Sequence, residues 1–155
     1  MIALQPTEPG RWAALQRCYG QLLQLCDQLE DIADRLPDRV TAAETKALAK
    51  AILAALADTH AEEELALLPA LAMSPKPELR RLAQRLRQEH DADTQSALEL
   101  AEVLVSLNGR QPLLSPDATG YLLRAFFESV RRHVRSEQDL LILLDAIPPA
   151  SGAPN

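Results

Sequence analysis

Residues 55–71 read ALADTHAEEELALLPAL. The chain has only three histidines, and one of them, His60, stands here four residues before Glu64 in a leucine-rich run. Residues 128–144, ESVRRHVRSEQDLLILL, repeat the spacing with His133 and Glu137. Four residues is about one helical turn, so each pair sets an imidazole and a carboxylate on one face. With twelve glutamates in 155 residues, two of three histidines would have Glu at the fourth following position by chance about 2% of the time.

Punctuation around these stretches divides the chain into four helices. The first follows PTEPG and runs through RWAALQRCYGQLLQLCDQLEDIADRL to Pro37, which cannot continue a helix without losing a hydrogen bond. The second opens at TAAE, residues 41–44, a capping box of Thr41 and Glu44. SPKP, residues 74–77, offers Ser74 as N-cap and Pro75 as first helical residue of a third helix ending near Asn108-Gly109. Ser115-Pro116 repeats the start signal for a fourth, which lasts until Pro148-Pro149.

The apolar content agrees. Hydrophobic residues make up 47% of the chain but aromatics only 3%, a Leu- and Ala-rich composition that suits helices over sheets. The expected fold is all-α, an up-down-up-down antiparallel four-helix bundle. One domain over residues 8–148 and a flexible tail over 149–155 are expected.

Steps of three and four give each helix an apolar seam. The first runs through Trp12, Leu15, Tyr19, Leu22, Cys26 and Leu29, and the second through Leu53, Leu56, His60, Glu64, Leu67 and Leu71. The third carries Leu86, His90, Asp93 and Ala97, and the fourth Phe126, Val130, His133, Glu137 and Leu140. Every histidine lies on a seam. Tyr19 stands 17 residues before Leu36, His60 19 after Thr41, His90 17 before Leu107 and His133 18 after Ser115. Antiparallel packing brings these levels together to within about a turn.

Two carboxylates in a leucine core are costly unless their charge is compensated. Bound cations would do so, with Glu64 and Glu137 bridging two metals, His60 and His133 as terminal ligands, and His90 and Tyr19 completing the shell. The bland alternative is a set of buried hydrogen-bonded polar groups, or pairs facing water as ordinary helical ion pairs. For Tyr19 that alternative is a core tyrosine bonded to Glu64 or His60.

A helix-1 site followed in order by HAEEELALLPAL, QEHDADTQSALEL and HVRSEQDLLILL resembles the hemerythrin-like proteins, the HHE cation-binding domains, over nearly the whole chain. The resemblance implies two non-haem iron ions with a bridging oxo, hydroxo or water ligand, held at His60, Glu64, His90, His133 and Glu137. It also implies a small diatomic or peroxide partner: dioxygen, peroxide or nitric oxide to be bound, sensed or reacted with. Two departures stand out. Tyr19 occupies the place of the family's first histidine, and Thr94 follows His90 where oxygen carriers have a second histidine; Asp93 is the alternative oxygen donor there. A phenolate at Tyr19 favours ferric iron, which points away from reversible oxygen carriage. Whether the protein is an enzyme stays open, and a metal-free helical interaction module is the competing function.

The remaining features exclude classes. A net charge of −6 and scattered basic residues do not suit nucleic acid. No apolar run is long enough to span a bilayer, and MIALQPTEPG lacks the form of a signal peptide. Cys18 and Cys26 lie eight residues apart in one helix, about 12 Å and beyond disulfide reach. Free thiols and a cytoplasmic address are expected.

Overall fold

The computed structural model describes residues 10–109 and 111–147, and all regular structure among them is helical. Four helical rods succeed one another. α1 is Ala13–Arg35. α2 begins as Ala42–Glu62, passes without a break through a π-helical turn, Glu63–Leu67, and closes with Leu68–Ala72. α3 is Pro77–Ser106 and α4 is Pro116–Ala146. The expected tail and the stop at Pro148-Pro149 lie outside the described residues.

Local chemistry sets most of these limits. Leu36 is extended, as the residue before a proline prefers to be, and α1 ends at Arg35. The capping box forms: Glu44 N–H donates to Thr41 Oγ1 at 3.2 Å and Thr41 N–H to Glu44 Oε2 at 3.3 Å. Ser115 accepts the Ala118 N–H at 3.2 Å, with Pro116 next in line. The start of α3 differs from the expectation at Ser74-Pro75. Lys76, forced out of the helical region by Pro77, is the N-cap, and the helix opens at the second proline of SPKP. Ser74 instead accepts the Lys76 N–H at 3.2 Å in the preceding turn.

Long-range bonds fix how neighbouring rods run. Trp12 Nε1 donates to Asp145 Oδ1 at 2.8 Å, Arg131 reaches Asp27 and Glu30 at 2.7 Å, and Arg124 reaches Asp34 at 2.6 Å, so α1 and α4 are antiparallel. The bond from Asn108 to Thr45 at 3.2 Å, with His90 against Glu63, sets α2 and α3 antiparallel as well. α1 also packs on α2, whereas α3 and α4 meet more sparsely than the other neighbouring pairs.

The α1 seam is buried as expected, through Leu15, Tyr19, Leu22, Cys26 and Leu29. In α4 Leu123, Glu137 and Leu144 are buried as expected, but Phe127, Val134 and Leu141 take the inward places next to Phe126, His133 and Leu140, which are only part-buried. The seams form two apolar clusters. One gathers Leu15, Leu67, Leu71, Leu86 and Leu141, the other Leu29, Ile52, Leu100, Leu104 and Phe127. Glu63, His90 and Glu137 are buried polar side chains at the level between them. No helix of the described residues is long and apolar enough to cross a membrane. Cys18 and Cys26 are free thiols.

Candidate metal centre

The polar layer draws one carboxylate from α2 and one from α4. The α2 carboxylate is Glu63, fully buried at 0% exposure. Glu64, the residue expected there, keeps 57% of its side chain exposed. The correction has a single cause. Stepping back from Leu71 and Leu67 by α-helical spacing reaches Glu64 and then His60, but the π turn inserts one extra residue into that count. Its signature is the Leu68 N–H, which reaches back five residues to the Glu63 carbonyl. Pro69 lies immediately downstream and has no N–H to give the Leu65 carbonyl. N-terminal to the turn the inward positions therefore move back by one, to Ile52, Thr59 and Glu63 in place of Leu53, His60 and Glu64.

Tyr19, wholly buried on α1, points its hydroxyl at both carboxylates. It lies 2.5 Å from Glu137 Oε2 and 3.2 Å from Glu63 Oε1. His90 Nε2 meets Glu63 Oε2 at 2.6 Å. His133 Nε2 approaches Glu137 Oε1 to 2.6 Å but off the hydrogen-bonding direction, so this buried oxygen has no hydrogen-bond donor. The structure thus gathers four of the expected residues, Tyr19, His90, His133 and Glu137, around Glu63.

The other two stand at the edge. His60 makes no ion pair among the described residues; its ring stacks on His90, centroids 4.0 Å apart and planes 15° from parallel. Thr59 takes the inward position one turn before Glu63 and spends its hydroxyl on the Ala55 carbonyl at 2.7 Å. Glu64 Oε1 is 3.7 Å from His90 Nδ1, a buried nitrogen without a hydrogen-bond partner. Asp93 is half-buried nearby, and the Thr94 hydroxyl bonds back to the His90 carbonyl at 2.9 Å.

The electrostatics follow from burial. Glu63 is pushed far above the usual carboxylate range by burial and by the Glu137 carboxylate beside it. Burial also opposes ionisation of Glu137, but the His133 imidazole beside it and the groups that hydrogen-bond to it outweigh that and hold the carboxyl below its ordinary value. Glu137 in turn raises His133 to about 9. Burial, with two carboxylates in front of it, drives the Tyr19 phenol strongly upward. Burial lowers His60 to about 4, with help from His90 and His133.

One donor atom from each of Glu63, His133 and Glu137 lies within 4.8 Å of the other two, close enough to share a cation. Two buried carboxylates, one of them with an orphaned oxygen, and an imidazole make a set suited to a cation. The mixture of oxygen and imidazole donors suits iron.

A cavity of about 280 Å³ opens beside this layer among α2, α3 and α4, where α3 and α4 stand apart. Glu63, His60, His133 and Asp93 line its end at the polar layer.

Compared with known families, residues 13–143 match the family model described as Hemerythrin HHE cation binding domain. Comparison with curated proteins and with solved structures gave no match to either.

Proposed function

The chain belongs to the hemerythrin HHE cation-binding family, and from that membership and the buried polar layer we propose that it is a non-haem iron protein that binds, senses or reacts with a small oxidant. Dioxygen, peroxide and nitric oxide are the oxidants in view. Two iron ions, within a single up-down-up-down bundle domain spanning residues 8–148, would supply the redox and ligand-binding chemistry. The unpaired thiols Cys18 and Cys26 suit a reducing cytoplasm.

The observation that carries this reading is the pair Glu63 and Glu137, two buried carboxylates in the same layer with His133 within reach of both. Glu63 and Glu137 each offer two oxygens and are the residues suited to be shared between ions. His90 and His133 would each supply one nitrogen. Tyr19 keeps its proton and orients the two carboxylates from α1, and His60 stands behind His90 as the outer member of a stacked pair. Glu64 Oε1 stands 3.7 Å from His90 Nδ1; closing that gap would let it accept from Nδ1 and leave Nε2 with its lone pair free toward the site.

A second reading has its own support. Tyr19, Glu63, His90 and Glu137 already satisfy much of one another's hydrogen bonding, which is what a metal-free module using a polar layer to fix helix register would need. Elemental analysis of protein purified from iron-replete cells separates the two. Two irons per chain are expected; iron-free, stable protein overturns the proposal.

A further inference from the structure

We infer that the cavity among α2, α3 and α4 is a binding site for a small organic amine, its ammonium held at Asp93 and its apolar body lying along Leu56, Leu100, Leu122 and Phe126. This goes beyond a small oxidant and does not require a metal, because side chains alone form the cavity. At about 280 Å³ it holds the equivalent of about nine waters, far more than a diatomic molecule fills.

The walls are built to leave this space. Ser96 on α3 and Ala125 and Ser129 on α4 line it, small side chains that leave space between the two helices unfilled. The cavity is also polarised along its length. Asp93, Glu63 and His133 lie at the polar layer, and Leu56, Leu100 and Leu122 line the other end. From His133 to Leu122 is 11 residues of α4, or roughly 16 Å of helix. An elongated amphipathic molecule fits that gradient.

Charge selects its class. No Lys or Arg lines the cavity, whereas Asp93, Glu99 and Glu63 do. Asp93 is half-buried and has neither hydrogen bond nor ion pair among the described residues. A partly desolvated carboxylate without a partner is the cost that a ligand's ammonium relieves. An organic anion would meet these carboxylates with no Lys or Arg in the lining to offset them.

Calorimetric titration of the protein as isolated, and again after metal removal, with phenethylamine, 2-phenylethanol and phenylacetate tests this. These probes share a ring and a short chain and differ in the charge of the head. The amine should bind saturably and at least tenfold more tightly than the alcohol, with no heat from phenylacetate in the metal-free protein. Asp93→Asn should erase the preference for amine over alcohol. Ala125→Leu, or Ser129→Leu one turn away on the same wall, should abolish binding of both while leaving the helical circular dichroism unchanged. Equal affinity for amine and alcohol, no amine binding, or amine binding that survives both cavity-filling variants would overturn the inference. Amine binding that persists in metal-free protein upholds it even where the iron reading fails.

Discussion

Glu63 and Glu64 are consecutive residues on one helix, yet the first is sealed in the core against Tyr19 and His90 while the second stands in solvent. The π turn that begins at Glu63 decides which of the two faces the site. Glu63→Ala should therefore lower iron content by at least tenfold, whereas Glu64→Ala should leave most of it bound. Metal analysis after gel filtration of both variants checks the assignment. The reverse pattern would mean that the turn rearranges when metal is present.

Without metal, the same residue should destabilise the fold as pH rises. Glu63 holds its proton in the folded state, whereas the unfolded group ionises near 4.5. The folded chain then binds more protons, so the stability present below 4.5 is lost as pH climbs. His133 adds to the trend: its contribution is complete below 6.5 and disappears as pH passes about 9. His60 acts oppositely, costing stability as pH falls from 6.5 toward 4. Urea unfolding of metal-free protein should show a maximum near pH 6. Glu63→Gln, which mimics the protonated acid, should be about 1–3 kcal/mol more stable than the parent at pH 8 while losing iron.

That carboxylate is also where the sequence was hardest to read. Thr41 and Ser115 announce helix starts through chemistry confined to four residues, and the structure has both caps. Tyr19, His90 and Glu137 fall on uninterrupted α-helical seams, so steps of three and four carry them to the core. Glu63 and Thr59 lie upstream of an inserted residue that periodicity does not register. Pro69, set inside an otherwise helical run, was the only local sign that the ladder of hydrogen bonds had to change there. Ser74 missed its role for a related reason: Pro77 excludes Lys76 from the helix, and no cap can act across that break.

Tyr19 should behave as a phenol and not as a phenolate. Its hydroxyl already reaches Glu137 Oε2 at 2.5 Å and Glu63 Oε1 at 3.2 Å, the two carboxylates that would hold the ions. Oxidised, iron-loaded protein should then lack the intense visible band of a ferric phenolate, and Tyr19→Phe should leave the visible spectrum in place while weakening iron retention. A purple parent that bleaches in Tyr19→Phe returns Tyr19 to the ligand set.

Stability and metal content should separate at the other end of α2. Thr41→Ala removes one half of the capping box, about 30 Å of helix from the site by rise alone. It should cost about 1 kcal/mol in chemical unfolding with iron content unchanged.

The extra residue of the π turn is also separable from the register it sets. Removing Leu65, an exposed residue within the turn, would let α2 run on as plain α-helix from Ala42 to Ala72. Deletion takes away both the residue and the widened turn that absorbs it, so Glu63 and Thr59 keep their inward faces. Straightening the turn with every residue kept would instead rotate everything upstream by about 100° relative to the core, exchanging Glu63 and Thr59 for Glu64 and His60. The choice between a threonine and an imidazole in the polar layer thus rests on one backbone turn, with every codon unchanged.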